Sequence, residues 1–299
     1  MTCRPLGNFG STRRIVHTGG IERKDSAQAS RSSAGKATAP SMSDSANMPA
    51  PCSLDRRTLI KHLGVSGSLL AAVCASPALL FAANSFARTF GIDVSKWGGE
   101  IDWHEVREKL DPRFVFVQAY HWGRSEASSY ANPRFANYRR DLQRLGILHG
   151  AYLRCHPNTK AETSIKRFWA TYLPRAGDIL PTLDIEDDYD DRCALSVPIR
   201  IDQIEKMVRL VENRIGGQKP MIYTKARVWA ELGNPTQFAD CPLWVVDYHS
   251  ATEPTLPAAW TRFSFWQYAQ NLSGNGVPGT YDRNYFNGPE ADLQAYLLR

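Results

Sequence analysis

Two carboxylates two residues apart, Asp184 and Glu186 in Leu183-Asp184-Ile185-Glu186, have the types and spacing to do chemistry together. On a β-strand, residues two apart point to the same face, with alpha carbons about 6.5 Å apart. If that face lines a partly desolvated cavity, the like charges oppose double ionisation and one carboxyl keeps its proton to higher pH. A carboxylic acid still protonated near neutrality can protonate the leaving oxygen of a glycosidic bond. Asp-x-Glu is a weak pattern by itself. The acids that follow, Asp187, Asp188, Asp190 and Asp191, read as a solvated loop without the ligand spacing of a cation site.

The elements that must position this pair come from hydrophobic patterning. Residues 89–94, 114–119, 147–153, 179–185, 221–223, 243–246, 263–268 and 279–282 read as eight strands. The near-continuous apolar run Phe114-Val115-Phe116-Val117 is the pattern of a strand buried on both faces. Helical spacing appears over residues 133–145 and 161–172, and in Ile201, Ile204, Val208, Val211 and Ile215, a run ending at Gly216-Gly217. Asp102-Trp103-His104-Glu105 has the spacing of a capping box opening a short helix. Strand–helix alternation with eight strands predicts an α/β fold, a modified TIM-like (β/α) barrel that is helix-poor in its last three strands. One domain accounts for residues 88–299.

In such barrels reactive groups sit at the C-terminal ends of the strands. Asp93 ends strand one, Asp184 and Glu186 end strand four, and Asp282 ends strand eight, so these four are the candidate catalytic acids. Barrel closure makes strands one and eight neighbours and lets Asp93 approach Asp282. Ile185 should point outward beneath the helices. Nine aromatic residues fall near strand ends or loops: Trp97, Tyr120, Trp122, Tyr152, Tyr223, Trp244, Tyr248, Trp266 and Tyr268. Sugar rings stack on such faces, and Tyr152, Tyr223, Trp244, Tyr120 and the polar Gln267 are the candidate substrate-binding residues. No cofactor and no metal ion is implied.

Charge and the N-terminal region point to export. Residues 1–87 carry ten Lys and Arg against four Asp and Glu, the whole of the formal +6, so residues 88–299 are formally neutral. That argues against a nucleic-acid partner, which usually meets a basic domain face. Residues 1–50, rich in Ser, Ala, Gly and Arg, read as disordered or untranslated, with Met42 and Met48 as later start points. Residues 51–87 resemble a twin-arginine signal: Arg56-Arg57, then an apolar stretch over 65–83 broken by Gly67, Ser68, Ser76 and Pro77. Cleavage is expected after Ser85-Phe86-Ala87, leaving no stable membrane insertion; the alternative is an uncleaved anchor. The destination is the periplasm or the exterior, where disulfides form. Cys155, Cys193 and Cys241 remain, an odd number, with Cys155–Cys193 the preferred pair against three buried thiols. A monomer is expected.

From Phe90 to Leu297 the chain resembles the glycoside hydrolase family 25 lysozymes. The carriers are Gly91-Ile92-Asp93-Val94-Ser95, Ile101-Asp102-Trp103, Gly150-Ala151-Tyr152, Leu183-Asp184-Ile185-Glu186, Ile222-Tyr223-Thr224, Leu243-Trp244-Val245, Trp266-Gln267-Tyr268 and Asp282-Arg283-Asn284-Tyr285-Phe286, in this order. The resemblance implies a peptidoglycan hydrolase cleaving the β-1,4 bond between N-acetylmuramic acid and N-acetylglucosamine, its partner being the glycan strand. It implies Glu186 as general acid/base. Asp184 then either orients the substrate's 2-acetamido group or acts as nucleophile, and Asp93 and Asp282 shape charge and hold sugar. Three departures stand out: Gln118-Ala119-Tyr120-His121-Trp122-Gly123 where many members have Lys-Ala-x-Glu-Gly, Leu153 where His is frequent, and Arg283 where an apolar residue is usual. His121 and His156 are expected as exposed loop residues, with a place in the site as the alternative. A barrel hexosaminidase or chitinase and a noncatalytic peptidoglycan-binding module are the alternatives.

Overall fold

The computed structural model describes residues 88–189 and 192–299. The expected N-terminal extension and export signal, 1–87, and Asp190 and Asp191 lie outside the described residues. Eight strands close a barrel in the order β1 (Thr89–Val94), β2 (Phe114–His121), β4 (Leu148–Arg154), β5 (Ile179–Asp184), β6 (Met221–Thr224), β7 (Leu243–Val246), β8 (Phe265–Gly274) and β9 (Val277–Phe286), with β9 returning to β1. A two-residue strand, β3 (Tyr130–Ala131), pairs with the end of β2 outside this ring. Among the described residues, five α-helices accompany the strands: α1 (Trp103–Lys109), α2 (Phe135–Arg144), α3 (Ala161–Tyr172), α4 (Val197–Arg214) and α5 (Ala226–Glu231). The last, α5, lies between β6 and β7. After β7 no α-helix occurs among the described residues, as the helix-poor last third of the sequence led one to expect.

Alternation along the strands divides the core into two clusters. Ile92, Val94, Val115, Val117, Leu183, Ile185, Ile222 and Val245 pack outward with residues of the helices. Phe114, Phe116, Ile179, Met221, Phe265 and Phe286 fill the lumen, closed below by Leu293 and Leu298. A side chain at Gly91 would place its Cβ 2.4–2.6 Å from the Phe114 ring, its register partner on β2. Glycine there lets the first strand close against a lumen packed with aromatic rings. Asp102 caps α1, its carboxylate accepting from the His104 and Glu105 amides at 3.0 Å each.

The eighth strand departs from the expectation. It is not a short parallel strand over 279–282 but a ten-residue strand antiparallel to both β8 and β1. The cause is local. Asn275 and Gly276 form a two-residue turn with positive φ at both positions (55° and 89°), the hairpin turn whose twist matches paired strands. Asp282 therefore lies inside a strand rather than at its end. Antiparallel β9 also explains why no crossover helix is needed between β8 and β9.

Candidate active site

Alternation that fills the lower lumen with apolar side chains turns polar ones inward above them. A cavity of about 200 Å³ opens there, lined by Asp93, Ser95, Trp97, Gln118, His121, Tyr130, Tyr152, Arg154, Asp184, Glu186, Tyr223, Trp244, Gln267 and Asp282. All four candidate acids meet in it.

Asp184 is the last residue of β5, in register between Arg154 of β4 and Tyr223 of β6. The Ile185 amide continues the ladder by donating to the Tyr223 carbonyl at 2.9 Å, which keeps alternation going for one more step. Ile185 is buried in the outer cluster, and Glu186 turns back into the cavity beside Asp184. Burial, then the Glu186 charge, raise the Asp184 carboxyl well above the carboxylate range, while Arg154 works against them. The Arg154 guanidinium ion-pairs with Glu186, lies 3.8 Å from Asp184 and donates to Asp188 at 2.8 Å. The Lys225 ammonium stands 3.4 Å from Glu186 and 3.3 Å from Asp187, and Arg227 holds Asp187 at 2.6 Å. Asp187 and Asp188 are thus ion-paired rather than merely solvated.

Asp93 and Asp282 are direct register partners across β1 and β9. Asp93 accepts from Gln267 and from Asn284, both at 2.8 Å, and Asp282 accepts from Gln267 at 3.2 Å and from the Asn271 amide at 2.7 Å. Burial and the Asp282 charge push Asp93 well above its ordinary range. Burial likewise raises Asp282 to about 6, against the Asn271 hydrogen bond. The Gln267 oxygen accepts from the Tyr223 and Tyr248 hydroxyls at 2.9 and 2.5 Å, so a single amide joins two tyrosines to two acids. Burial raises Tyr152 and Tyr223 far enough that both remain phenols able to donate.

The structure sorts the aromatic candidates. Trp97, Tyr152, Tyr223 and Trp244 line the cavity, and Tyr248 reaches Gln267. Tyr120 does not line it. The β2 ladder shifts register between Gln118 and Tyr120, which resets the alternation that would have turned Tyr120 inward. Its ring instead packs on Trp122, 5.1 Å away, in the outer cluster. Trp266 and Tyr268 also belong to the outer layer.

His121 is not an exposed loop residue: it lines the cavity and stacks on Tyr130 at 4.7 Å, and burial together with Arg154 lowers it to about 4. His156 is buried. Cys155, Cys193 and Cys241 are all free thiols, so the preferred Cys155–Cys193 bond is not made. Sequence reasoning missed Arg154 and Asn284. Each stands two residues from a recognised lumen residue, Tyr152 and Asp282, and period-two alternation would have found both.

Comparison with known proteins agrees with this geometry. The sequence model of Glycosyl hydrolases family 25 matches residues 92–277. The YegX protein of Escherichia coli O157:H7 is 30% identical over 211 residues, 69% of this chain and 72% of that protein. Lysozyme M1 of Streptomyces globisporus is 29% identical over 214 residues, 69% of this chain and 70% of that protein. The bacterial lysozyme structure from Streptomyces coelicolor superposes with a TM-score of 0.62 at 27% identity, covering 71% of this chain and 97% of that one. The muramidase structure from Acremonium alcalophilum gives 0.59 at 27% identity, covering 70% and 98%. A closed barrel with four acids gathered at one end of its lumen, matched in sequence over most of that barrel, assigns the family: the chain belongs to glycosyl hydrolase family 25 and is a glycoside hydrolase of the lysozyme type.

Proposed function

We propose that this protein hydrolyses peptidoglycan at the β-1,4 bond between N-acetylmuramic acid and N-acetylglucosamine, with Glu186 as general acid/base and Asp184 assisting. The observation that carries the reading is the placement of Asp184 and Glu186 side by side in a cavity walled by Trp97, Tyr152, Tyr223 and Trp244. Relatives named lysozyme and muramidase support it. Glu186 donates a proton to the glycosidic oxygen as the bond to the anomeric carbon breaks. It then takes a proton from the water that attacks that carbon. The buried Asp184 carboxyl faces the developing positive charge, either directly or by aligning the sugar's acetamido group. Asp93, Asp282 and Gln267 offer acceptors and an amide to sugar hydroxyls on the other wall. Export through a twin-arginine signal within residues 51–87 is part of the same reading; N-terminal sequencing of the exported protein should begin near Arg88.

Digestion of purified peptidoglycan followed by borohydride reduction of the new ends tests the bond assignment. Reduced muramic acid is the expected product. Reduced glucosamine would assign the neighbouring bond, and no new ends would favour a binding module.

A further inference from the structure

Lys96 stands at the mouth of the cavity without an acid of its own. Directly after β1, Ser95 caps a single turn over Lys96–Gly98, its hydroxyl accepting from the Trp97 amide at 3.3 Å. Across the mouth, Tyr130 of β3 pairs with His121 at the end of β2. The Lys96 ammonium lies 3.6 Å from the centre of the Tyr130 ring and 4.6 Å from that of Trp97. Ser95, Trp97 and Tyr130 all line the cavity, so these contacts hold the charge at its rim. Ring faces attract an ammonium through their quadrupole, which fixes its place without neutralising it. Among the described residues no carboxylate forms an ion pair with Lys96. Glu100, four residues on, is taken by Arg134 at 3.1 Å. The cations beside Glu186 are committed as well, Arg154 to Glu186 and Asp188, Lys225 to Glu186 and Asp187.

We propose that Lys96 is a specificity-determining residue that binds a carboxylate carried by the muramic acid unit of the substrate. The proposal rests on the muramidase reading of the same cavity and adds the substrate feature recognised at its rim. Trp97 remains 66% exposed, which leaves room for a sugar on its ring. The ammonium, 4.6 Å from the centre of that ring, is then within reach of a substituent on the sugar. Muramic acid differs from glucosamine by a lactyl ether, which ends in a carboxylate on peptide-free strands. Where a stem peptide is attached that group is an amide, and the peptide brings carboxylates of its own. Four carboxyl groups, Asp93, Asp184, Glu186 and Asp282, line the cavity and disfavour a negative substituent among them. A cation at the rim and acids within therefore set the register of an anionic strand, its carboxylate outward on Lys96.

The test compares wild type, Lys96→Met and Lys96→Arg, each as the full chain. The substrates are peptide-bearing strands and strands freed of peptide by an amidase, each before and after conversion of its carboxylates to amides. Lys96→Met should raise KM about tenfold with kcat changed much less, and Lys96→Arg should stay near wild type. Amidation should raise the wild-type KM by a similar factor, a reading that needs no variant to fold. The two losses should not add, because both remove the same contact. A loss by Lys96→Met confined to peptide-free strands assigns the lactyl carboxylate, and one confined to peptide-bearing strands assigns the stem peptide. A KM for Lys96→Met within about twofold of wild type on both strands would overturn the proposal. Losses that multiply, or Lys96→Arg falling together with Lys96→Met, would overturn it too. If wild type cuts neither strand, the muramidase reading fails. Equilibrium binding of the same strands to wild type and Lys96→Met then decides the carboxylate contact separately.

Discussion

Asp93 and Asp282 stand directly opposite one another across the β1–β9 seam, and the amide nitrogen of Gln267 donates to both. The barrel thus closes on two acids joined by one amide, and their burial has a consequence for stability.

Asp282 is raised to about 6 in the folded protein, from about 4 unfolded, so between these values the native state binds the extra proton. Stability from this group is fully present below pH 4 and is lost as pH rises through 6. Asp93 acts in the same direction. Replacing Asp282 with Asn should flatten the thermal stability curve between pH 4 and 7, removing a change of about 3 kcal/mol across that window. A variant that keeps the wild-type slope would place the proton elsewhere. Asp247 has the opposite sign: hydrogen bonds from His249, Ser250 and Thr255 hold it below its ordinary value, so its contribution is lost as the solution is acidified.

Asp184→Asn separates fold from function. The buried carboxyl already favours its neutral form, so a neutral amide should leave the melting temperature at pH 7 unchanged or raised. The loss of a carboxylate facing the developing positive charge should lower kcat about 10²-fold or more. Melting curves and initial rates on the same preparation check both halves. A strongly destabilised but active variant would contradict the assignment.

Trp97 is 66% exposed at the cavity mouth, with the Lys96 ammonium 4.6 Å from its ring. An aromatic face left in water beside a sugar site contributes to binding more than to the chemical step. Trp97→Ala should raise KM about tenfold with kcat changed much less. Equal losses in kcat and kcat/KM would instead place the ring in the transition state.

Gly91→Ala tests the close approach in the lumen. The added methyl meets the Phe114 ring, so the core must shift. A cost of about 2 kcal/mol, or a fall of roughly 4–8 °C in Tm, is expected by calorimetry. An unchanged Tm would mean that the ring yields freely.

Much of this was legible in the sequence because two periodicities carry it. Period-two runs located the strands, and Asp184 and Glu186 followed from alternation at a strand end. Asp93 and Asp282 were paired by closure alone, although the direction of β9 was missed: Asn275-Gly276 was overlooked as a hairpin signal, and one turn sets that strand's direction. Tyr120 was misplaced because a register shift is a property of two strands at once and leaves no mark on either. The Gln267 network joins strands far apart in sequence, and only the closed barrel brings their side chains together.

The most direct test of the central claim is the rate of reducing-end release from purified peptidoglycan by wild type and Glu186→Gln. The two should be compared at equal concentration, with matched near-ultraviolet circular dichroism. The substitution is nearly isosteric, so the fold should be retained while the rate falls about 10²–10⁴-fold. A Glu186→Gln protein with rates within a few-fold of wild type would contradict Glu186 as the acid and would move the chemistry to another carboxyl of the cavity.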